Sequence, residues 1–345
     1  MKNDPVRSPG EAKQNEPPEG GGATGRRKWF WLWLAVICVV GVAARVVIIN
    51  QYVTENPFAT GPRVDAKVYW QWAQRIADGH LIQDQPFFSA PLYPYLLGVL
   101  RAFGGTLTSV YVVQALVDIL AACLLARLCR NRFGVGVGLL AAGLYLFLQE
   151  PASSSLRVLT SSLQLILLVI TWDRLIAVQE DPTLRRRLGV GAAIGFLCLS
   201  HPPATLFVPF VGLWLFWQSS RRAKDVLRAA VPVILACLII APATLHNWYA
   251  RGDLFLIQSA TAVNLRQGNA PGSNGTYTPI PNTTLDREGL FEDVARQYLL
   301  ATGQQGSWKQ IDGFYRNQVL EFWRSDPVGT LRLIARKVYW FLTGR

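Results

Sequence analysis

Apolar residues gather in long runs near 29–49, 109–129, 134–149, 156–178 and 228–248, separated by short polar breaks. A helix needs about 20 apolar residues to cross a bilayer, and every run but the third is close to that length. Residues 189–217 hold two shorter apolar stretches around "LSHPPAT". A proline pair removes two N–H donors and breaks a helix. Both flanks of this piece are basic, so two half-helices, about 189–200 and 203–217, are expected to form a hairpin rather than one span. The pattern changes in "VDAKVYWQWAQRIADGHL", residues 64–81. There Val68, Tyr69, Trp72, Ala73, Ile76 and Ala77 repeat at helical spacing, while Lys67, Gln71, Gln74, Arg75 and Asp78 face away. A half-wet helix of this size lies on a membrane or on other helices, and Gly79 is a natural stop. Residues 307–323 read as another interfacial helix, and 327–345 as the approach to a further span.

Composition sharpens this into an all-α polytopic membrane protein, a multi-span helical bundle with juxtamembrane amphipathic helices in its first outer loop. Only 16% of the residues are charged, against roughly 25% in soluble domains. The net charge of +12 does not point to nucleic acid. The basic residues fall in clusters between apolar runs: Arg26-Arg27-Lys28, then Arg127, Arg130 and Arg132, then Arg185-Arg186-Arg187, then Arg221-Arg222. That is the charge bias of cytoplasmic loops, and it predicts a cytoplasmic N-terminus and a multi-pass protein of the cell membrane. The first 28 residues, rich in Pro, Gly and Glu, are expected to be a disordered tail. The run at 29–49 is too long, and lies too far behind that tail, for a cleavable leader. The five cysteines sit in or beside apolar runs with no Cys-x-x-Cys pair, so core packing is expected, with no metal and no cofactor.

This topology puts 50–108, 149–155 and about 250–326 on the outer face. Asp65 heads the amphipathic helix. It has two readings there: an N-cap, whose oxygen accepts from an orphan helix N–H, or a general base. Glu150 lies at the outer end of a span, a solvated edge acid or a second catalytic carboxylate. Arg157 follows as an interfacial snorkelling side chain or a phosphate ligand, since guanidinium matches phosphate oxygens bidentately. Asp118 is mid-span, either a buried hydrogen-bonding group or a functional one.

The run "DAKVYWQWAQRIADGHL…PFFSAPLYPYLLGVL" resembles the first outer loop of the GT-C glycosyltransferases, the polyprenyl- or dolichyl-phosphate-sugar transferases. The match rests on Asp65, Tyr69, Ala73, Gly79, Phe87, Phe88, Pro91, Leu92, Tyr93 and Pro94. "APATLHNWYARGDL…NLRQGNAPGSNGTY" is similar to a later family segment through Asn247, Gly268 and Asn269. The resemblance spans about residues 30–345. It implies that Asp65 deprotonates an acceptor hydroxyl, which attacks the anomeric carbon of a sugar on a lipid phosphate with inversion. With the loop positions read above, this makes Asp65 and Glu150 the catalytic candidates, and Lys67, Tyr69, Tyr93, Arg157 and His201 the substrate-binding ones. The partners it implies are a polyprenyl-phosphate-linked sugar donor, a hydroxyl acceptor and the bilayer. Two positions depart from the family pattern: Ala66 stands where a second acid is common, and His201-Pro202 where many members carry Arg-Pro.

The organisation expected is a tail (1–28), a transmembrane module (29–250) with outer loop 50–108, an outer region with interfacial helices (251–326), and a last segment (327–345). Relatives continue with further spans, so the chain reads as truncated at its C-terminus. The competing readings are a non-catalytic membrane scaffold, a transporter, or an inactive fragment of such a transferase. Transporters tend to carry internal repeats and mid-membrane polar sites, and no clear repeat stands out here.

Overall fold

The computed structural model describes residues 21–218, 223–284 and 287–344. The tail expected over 1–28 lies outside them through residue 20, and α1 (Gly21–Glu55) already begins within its last residues. The described residues are helical, with no strand among them. The chain is an all-α polytopic membrane protein. Among the described residues, four helices are long and apolar enough to cross a membrane: α1 from Lys28, α4 (Leu107–Phe133), α7 (Ser161–Glu180) and α10 (Ala223–Arg251) from Lys224. α5 (Val135–Phe147) has 13 residues, about 20 Å, and is short for a crossing. Between α1 and α4 come α2 (Val64–Ala77) and α3 (Leu92–Ala102). α6 (Gln149–Ser154) is a brief helix after α5.

The helices alternate between two ends. Arg127 bonds Asp173 at 2.8 Å and Arg132 bonds Glu180 at 2.7 Å. These pairs fix the end of α4 beside the end of α7. Arg130 lies over the Phe30 ring at 4.5 Å, which brings the start of α1 to the same end. This end carries Arg127, Arg130, Arg132 and Arg174 and is called the basic end here. The opposite end holds the start of α4, the end of α1, and α2, α3 and α6.

α8 (Leu184–Ser200) and α9 (Phe207–Trp217) are joined by His201 and a 3-10 turn, Pro202–Leu206. They form the expected hairpin. A Cβ on Gly191 of α8 would meet Pro232 and Leu235 of α10, and one on Gly212 of α9 would meet Val233. Two residues so far apart reach one level of α10 only if the chain doubles back at the prolines. The glycines permit this closeness, since a Cβ on Gly191 would stand 2.7 Å from the Pro232 oxygen. Small residues let membrane helices approach, where no hydrophobic drive separates helix from lipid.

Three apolar cores hold the bundle. Phe30, Leu34, Ala121, Ala122, Ala126 and Leu146 unite α1, α4 and α5. Val190, Ile194, Val211, Leu215, Ala236 and Ile240 unite α8, α9 and α10. Tyr69, Trp72, Ile76, Phe87, Leu97 and Val158 cap the bundle at its end opposite the arginines. Exposed Leu, Val, Phe and Trp cover the outside of the long helices, with Trp29, Trp31, Trp33 and Trp217 near the basic end and Trp248 and Tyr249 near the other. Such aromatic girdles mark membrane interfaces. Asp118 is fully buried among these helices and accepts from Tyr145 Oη and Ser162 Oγ, each at 3.2 Å.

Beyond α10 lie α11 (Thr261–Gly268), α12 (Arg287–Thr302), α13 (Trp308–Ser325) and α14 (Pro327–Thr343). α13 matches the helix read over 307–323, and a capping box between Ser307 and Gln310 starts it. Ala262, Val263, Leu290, Val294, Ile311 and Tyr315 pack into a core of their own. α12 rests against α2.

Candidate functional site

α2 begins at Val64, so its N-cap is Arg63, whose side chain makes no capping bond. The N-cap role read for Asp65 is therefore corrected: Asp65 is the second residue inside the first turn. Its carboxylate still lies where the positive end of the helix dipole favours an anion. Val64 enters the helix at φ 50°. A β-branched residue there is a true outlier, and such strain costs on the order of 1–3 kcal/mol. The bend turns the chain from the Pro57–Ala59 turn into α2 and brings the half-buried Asp65 to a cavity of about 360 Å³.

That cavity is built from four places in the sequence. Tyr52 comes from the end of α1, Arg63 and Asp65 from the start of α2, Tyr111 from α4, and Arg157 from the segment after α6. Tyr111 donates to the Ala59 carbonyl at 2.8 Å and sets its ring edge-on to Tyr52, 5.4 Å between centroids. Asp65 and Arg157, singled out separately from the sequence, face the same space.

Residues 155–160 are not helical. A span starting at 156 was expected, and α7 starts instead at Ser161. The reason is a buried side chain on another helix. Gln114 of α4 is 5% exposed. Its amide nitrogen donates to the Ser155 carbonyl at 3.0 Å and the Arg157 carbonyl at 2.9 Å. Its amide oxygen accepts from Tyr93 Oη at 2.6 Å. Backbone polar groups buried without a partner are costly, and here a side chain supplies what a helix would have. Val158, 2% exposed, anchors the segment in the cap core, and Arg157 is left exposed towards the cavity.

Tyr69 and Tyr93 do not line this cavity. Tyr69 Oη shares a 2.8 Å hydrogen bond with Ser89 Oγ, and the two tyrosine rings meet edge-on at 5.5 Å. Burial, then the neighbouring Tyr69 and Tyr111, holds the Tyr93 phenol well above its usual range. Tyr93 is therefore a hydrogen-bond donor at any working pH. Lys67 is half-buried on α2, outside the cavity wall. Glu150 is exposed in the first turn of α6 and does not line this cavity. His201 is exposed at the hairpin tip, where its N–H donates to the Leu197 carbonyl at 2.7 Å and ends α8. Asn247 is fully buried: its Oδ1 accepts from the Phe87 N–H at 2.7 Å and its Nδ2 donates to the Phe255 and Ile257 carbonyls at 3.1 Å. It clasps the 83–88 loop to the chain leaving α10. Among the described residues no group of His, Cys, Asp or Glu is arranged to hold a metal.

Tyr52, Arg63, Tyr111 and Gln114 were not picked out from the sequence. Gln114 had a visible signal, as an amide inside an apolar run. The others did not, since aromatics and arginines at span ends are common.

Residues 84–247 match the family model described as dolichyl-phosphate-mannose-protein mannosyltransferase. The GT-C resemblance is thus borne out over that segment, which holds Gln114, Arg157 and the hairpin. The match supports a membrane glycosyltransferase drawing on lipid-phosphate-linked sugars. Asp65 precedes the matched residues. No curated protein matches the chain.

Proposed function

We propose, starting from that GT-C glycosyltransferase match, that the chain transfers a sugar from a polyprenyl-phosphate-linked donor to an acceptor hydroxyl, with Asp65 as general base. The observation that carries this reading is the shared cavity of Asp65 and Arg157. The acceptor O–H gives its proton to the Asp65 carboxylate while its oxygen attacks the anomeric carbon. The bond from that carbon to the phosphate oxygen breaks, and the electron pair leaves with the lipid phosphate. Attack opposite the leaving group inverts configuration. Arg157, with Arg63 on the same wall, meets the developing phosphate charge. Preorganised cations where charge develops are worth more than in water, because they need not reorganise. Tyr69, Tyr93 and Gln114 position the walls rather than touch the sugar. Glu150, Lys67 and His201 are left without a role at the reacting atoms.

The basic end is taken as cytoplasmic. Lys28, Arg127, Arg130, Arg132, Arg174, Arg185 and Arg228 cluster there, as cytoplasmic loops do. The cavity then opens at the exoplasmic face of the cell membrane. A lipid-linked donor keeps its phosphate at that interface, and an acceptor arrives from water.

The test is Asp65→Asn in the full chain, in membranes, supplied with polyprenyl-phosphate-mannose. Asparagine keeps size and polarity but cannot take the proton, so turnover falls by about a hundredfold or more while expression is unchanged. Transfer at the parent rate would remove Asp65 from the mechanism.

A further inference from the structure

We propose that a second cavity, lying along α2 beyond Asp65, is the acceptor site and that the acceptor it takes is a saccharide. The proposal rests on the transferase reading above and names its acceptor class.

This cavity, about 570 Å³, lies between α2, the 83–88 loop and the starts of α12 and α13, and Gln71, Trp72, Arg75, Gln83, Glu292 and Trp308 are among its lining residues. Its size suits a mono- or disaccharide, within the roughly 300–1,000 Å³ of small-molecule sites. On α2 the contributors are Val68, Gln71, Trp72 and Arg75, the spacing of one helical face. Asp65 stands one turn before Val68 on the same stripe, so a ligand lying along this face ends beside the base.

The lining selects the ligand by exclusion. A lipid tail would be met by aliphatic side chains alone, but here amides and charges interrupt the apolar wall. A phosphate would be met by cations in excess, but Arg75 is balanced by Glu292. A hydroxyl group both donates and accepts, and so does a side-chain amide; Gln71, Gln83 and Gln85 all line the cavity. Sugar rings also carry a flat C–H patch that packs on aromatic faces, and the wall supplies them. Phe291 sits edge-on between Phe88, at 3.6 Å, and Trp308, at 5.1 Å. Trp308 is held in place, since its Nε1–H donates to Gln85 Oε1 at 3.0 Å, and the same oxygen accepts from Arg251 at 3.2 Å.

Two donors in this wall are unsatisfied. Trp72 is 3% exposed, and neither its Nε1 nor the buried Gln83 Nε2 has a hydrogen-bond partner. Buried polar groups are nearly always paired, and an exception calls for an explanation. Both atoms are closed off from the cavity as it stands, so a side-chain rotation must open them before a hydroxyl oxygen of a seated ligand pairs them.

The experiment is saturation-transfer NMR on the full chain purified in a sugar-free detergent. The probes are methyl α-mannoside, maltose, cellobiose and lactose, with a Ser/Thr-containing hexapeptide as the other class. At least one saccharide should bind. Trp308→Ala and Gln71→Ala should each weaken it by about tenfold or more, with the melting temperature of each variant as the folding control. Gln71 is exposed on α2, so that variant keeps the test open if Trp308→Ala fails to fold. Binding of the peptide alone, of no probe at all, or binding untouched by both variants overturns the proposal. An Asp65→Asn variant that transfers at full rate would sink the base assignment and leave saccharide binding standing, so the two failures are distinct.

Discussion

Replacing Gln114 by Leu should cost the site its geometry while leaving the cavity's own side chains in the sequence. Gln114 makes three hydrogen bonds, from Tyr93 Oη at 2.6 Å and to the Ser155 and Arg157 carbonyls at 3.0 and 2.9 Å. Leucine leaves the Tyr93 hydroxyl and the Ser155 carbonyl without that partner, in residues that are 4% and 0% exposed. Each orphaned buried group costs about 1–3 kcal/mol, about 4 kcal/mol for the two at mid-range, and the added apolar burial returns about 1–2 kcal/mol, so the net loss is about 2–3 kcal/mol. The Arg157 carbonyl lies nearer solvent and can take water. The larger effect is on turnover. The 155–160 segment loses the bonds that hold it off the helical path, and a shift of about 1 Å at a positioned group costs roughly a hundredfold. The assay is sugar transfer from polyprenyl-phosphate-mannose in membranes, alongside a thermal melt. Tyr93→Phe is the control, because it removes one bond but keeps both from Gln114 to the segment. It should lower turnover by less than about threefold, which corresponds to about 0.7 kcal/mol. If Tyr93→Phe falls as far as Gln114→Leu, Tyr93 contacts substrate and the bracing account is wrong. If Gln114→Leu turns over normally, Arg157 does not need the segment held.

Other perturbations test other parts of the fold. Arg157→Lys keeps the charge but not the two-pronged geometry, and should raise KM for the lipid-linked donor about tenfold; steady-state kinetics with varied donor decides this, and an unchanged KM would remove Arg157 from the phosphate. Gly191→Leu should lower the melting temperature and expression, because a Cβ there already stands 2.7 Å from the Pro232 oxygen and 2.9 Å from Leu235 Cβ; overpacking costs about 1–3 kcal/mol. Gly143→Ala, with nothing within 4 Å of the added carbon, should be silent in the same melt. A cysteine at Thr276 should react with an impermeant maleimide added outside intact cells, and one at Arg185 should not. The reverse pattern would invert the orientation.

The spans were legible because twenty apolar residues in a row leave few other solutions, and the hairpin because prolines and basic flanks agree. Tyr69, Trp72, Ala73 and Ile76, read as the apolar face of α2, are the residues that face buries. What stayed hidden depends on long-range partners. Leu156, Val158 and Leu159 look like the start of a helix, since hydropathy does not separate a buried irregular segment from a buried helix. The difference is made by Gln114, more than forty residues earlier, whose amide does the work of helical carbonyl partners. Glu150 was paired with Asp65 because both stand at loop mouths, but α6 leaves its side chain exposed. Nearness to an interface is one dimension of a position, and rotation about the bundle axis is another that periodicity in a six-residue helix cannot fix.

That same distinction explains why the cavity sits where it does. Helices packed through Gly and Ala leave little room between them, as the contacts of Gly191 and Gly138 illustrate: a Cβ on either would meet a backbone oxygen at 2.7 Å. Space opens where the packing pattern is interrupted, and two of the interruptions at the end opposite the arginines meet at this cavity. One break is the strained entry at Val64, and the other is the irregular segment 155–160. The first delivers Asp65 and the second Arg157. Both breaks carry a conformational cost that regular helix would have avoided, and both place an ionisable group on the wall of one cavity, which is where the proposed mechanism needs a base and a cation.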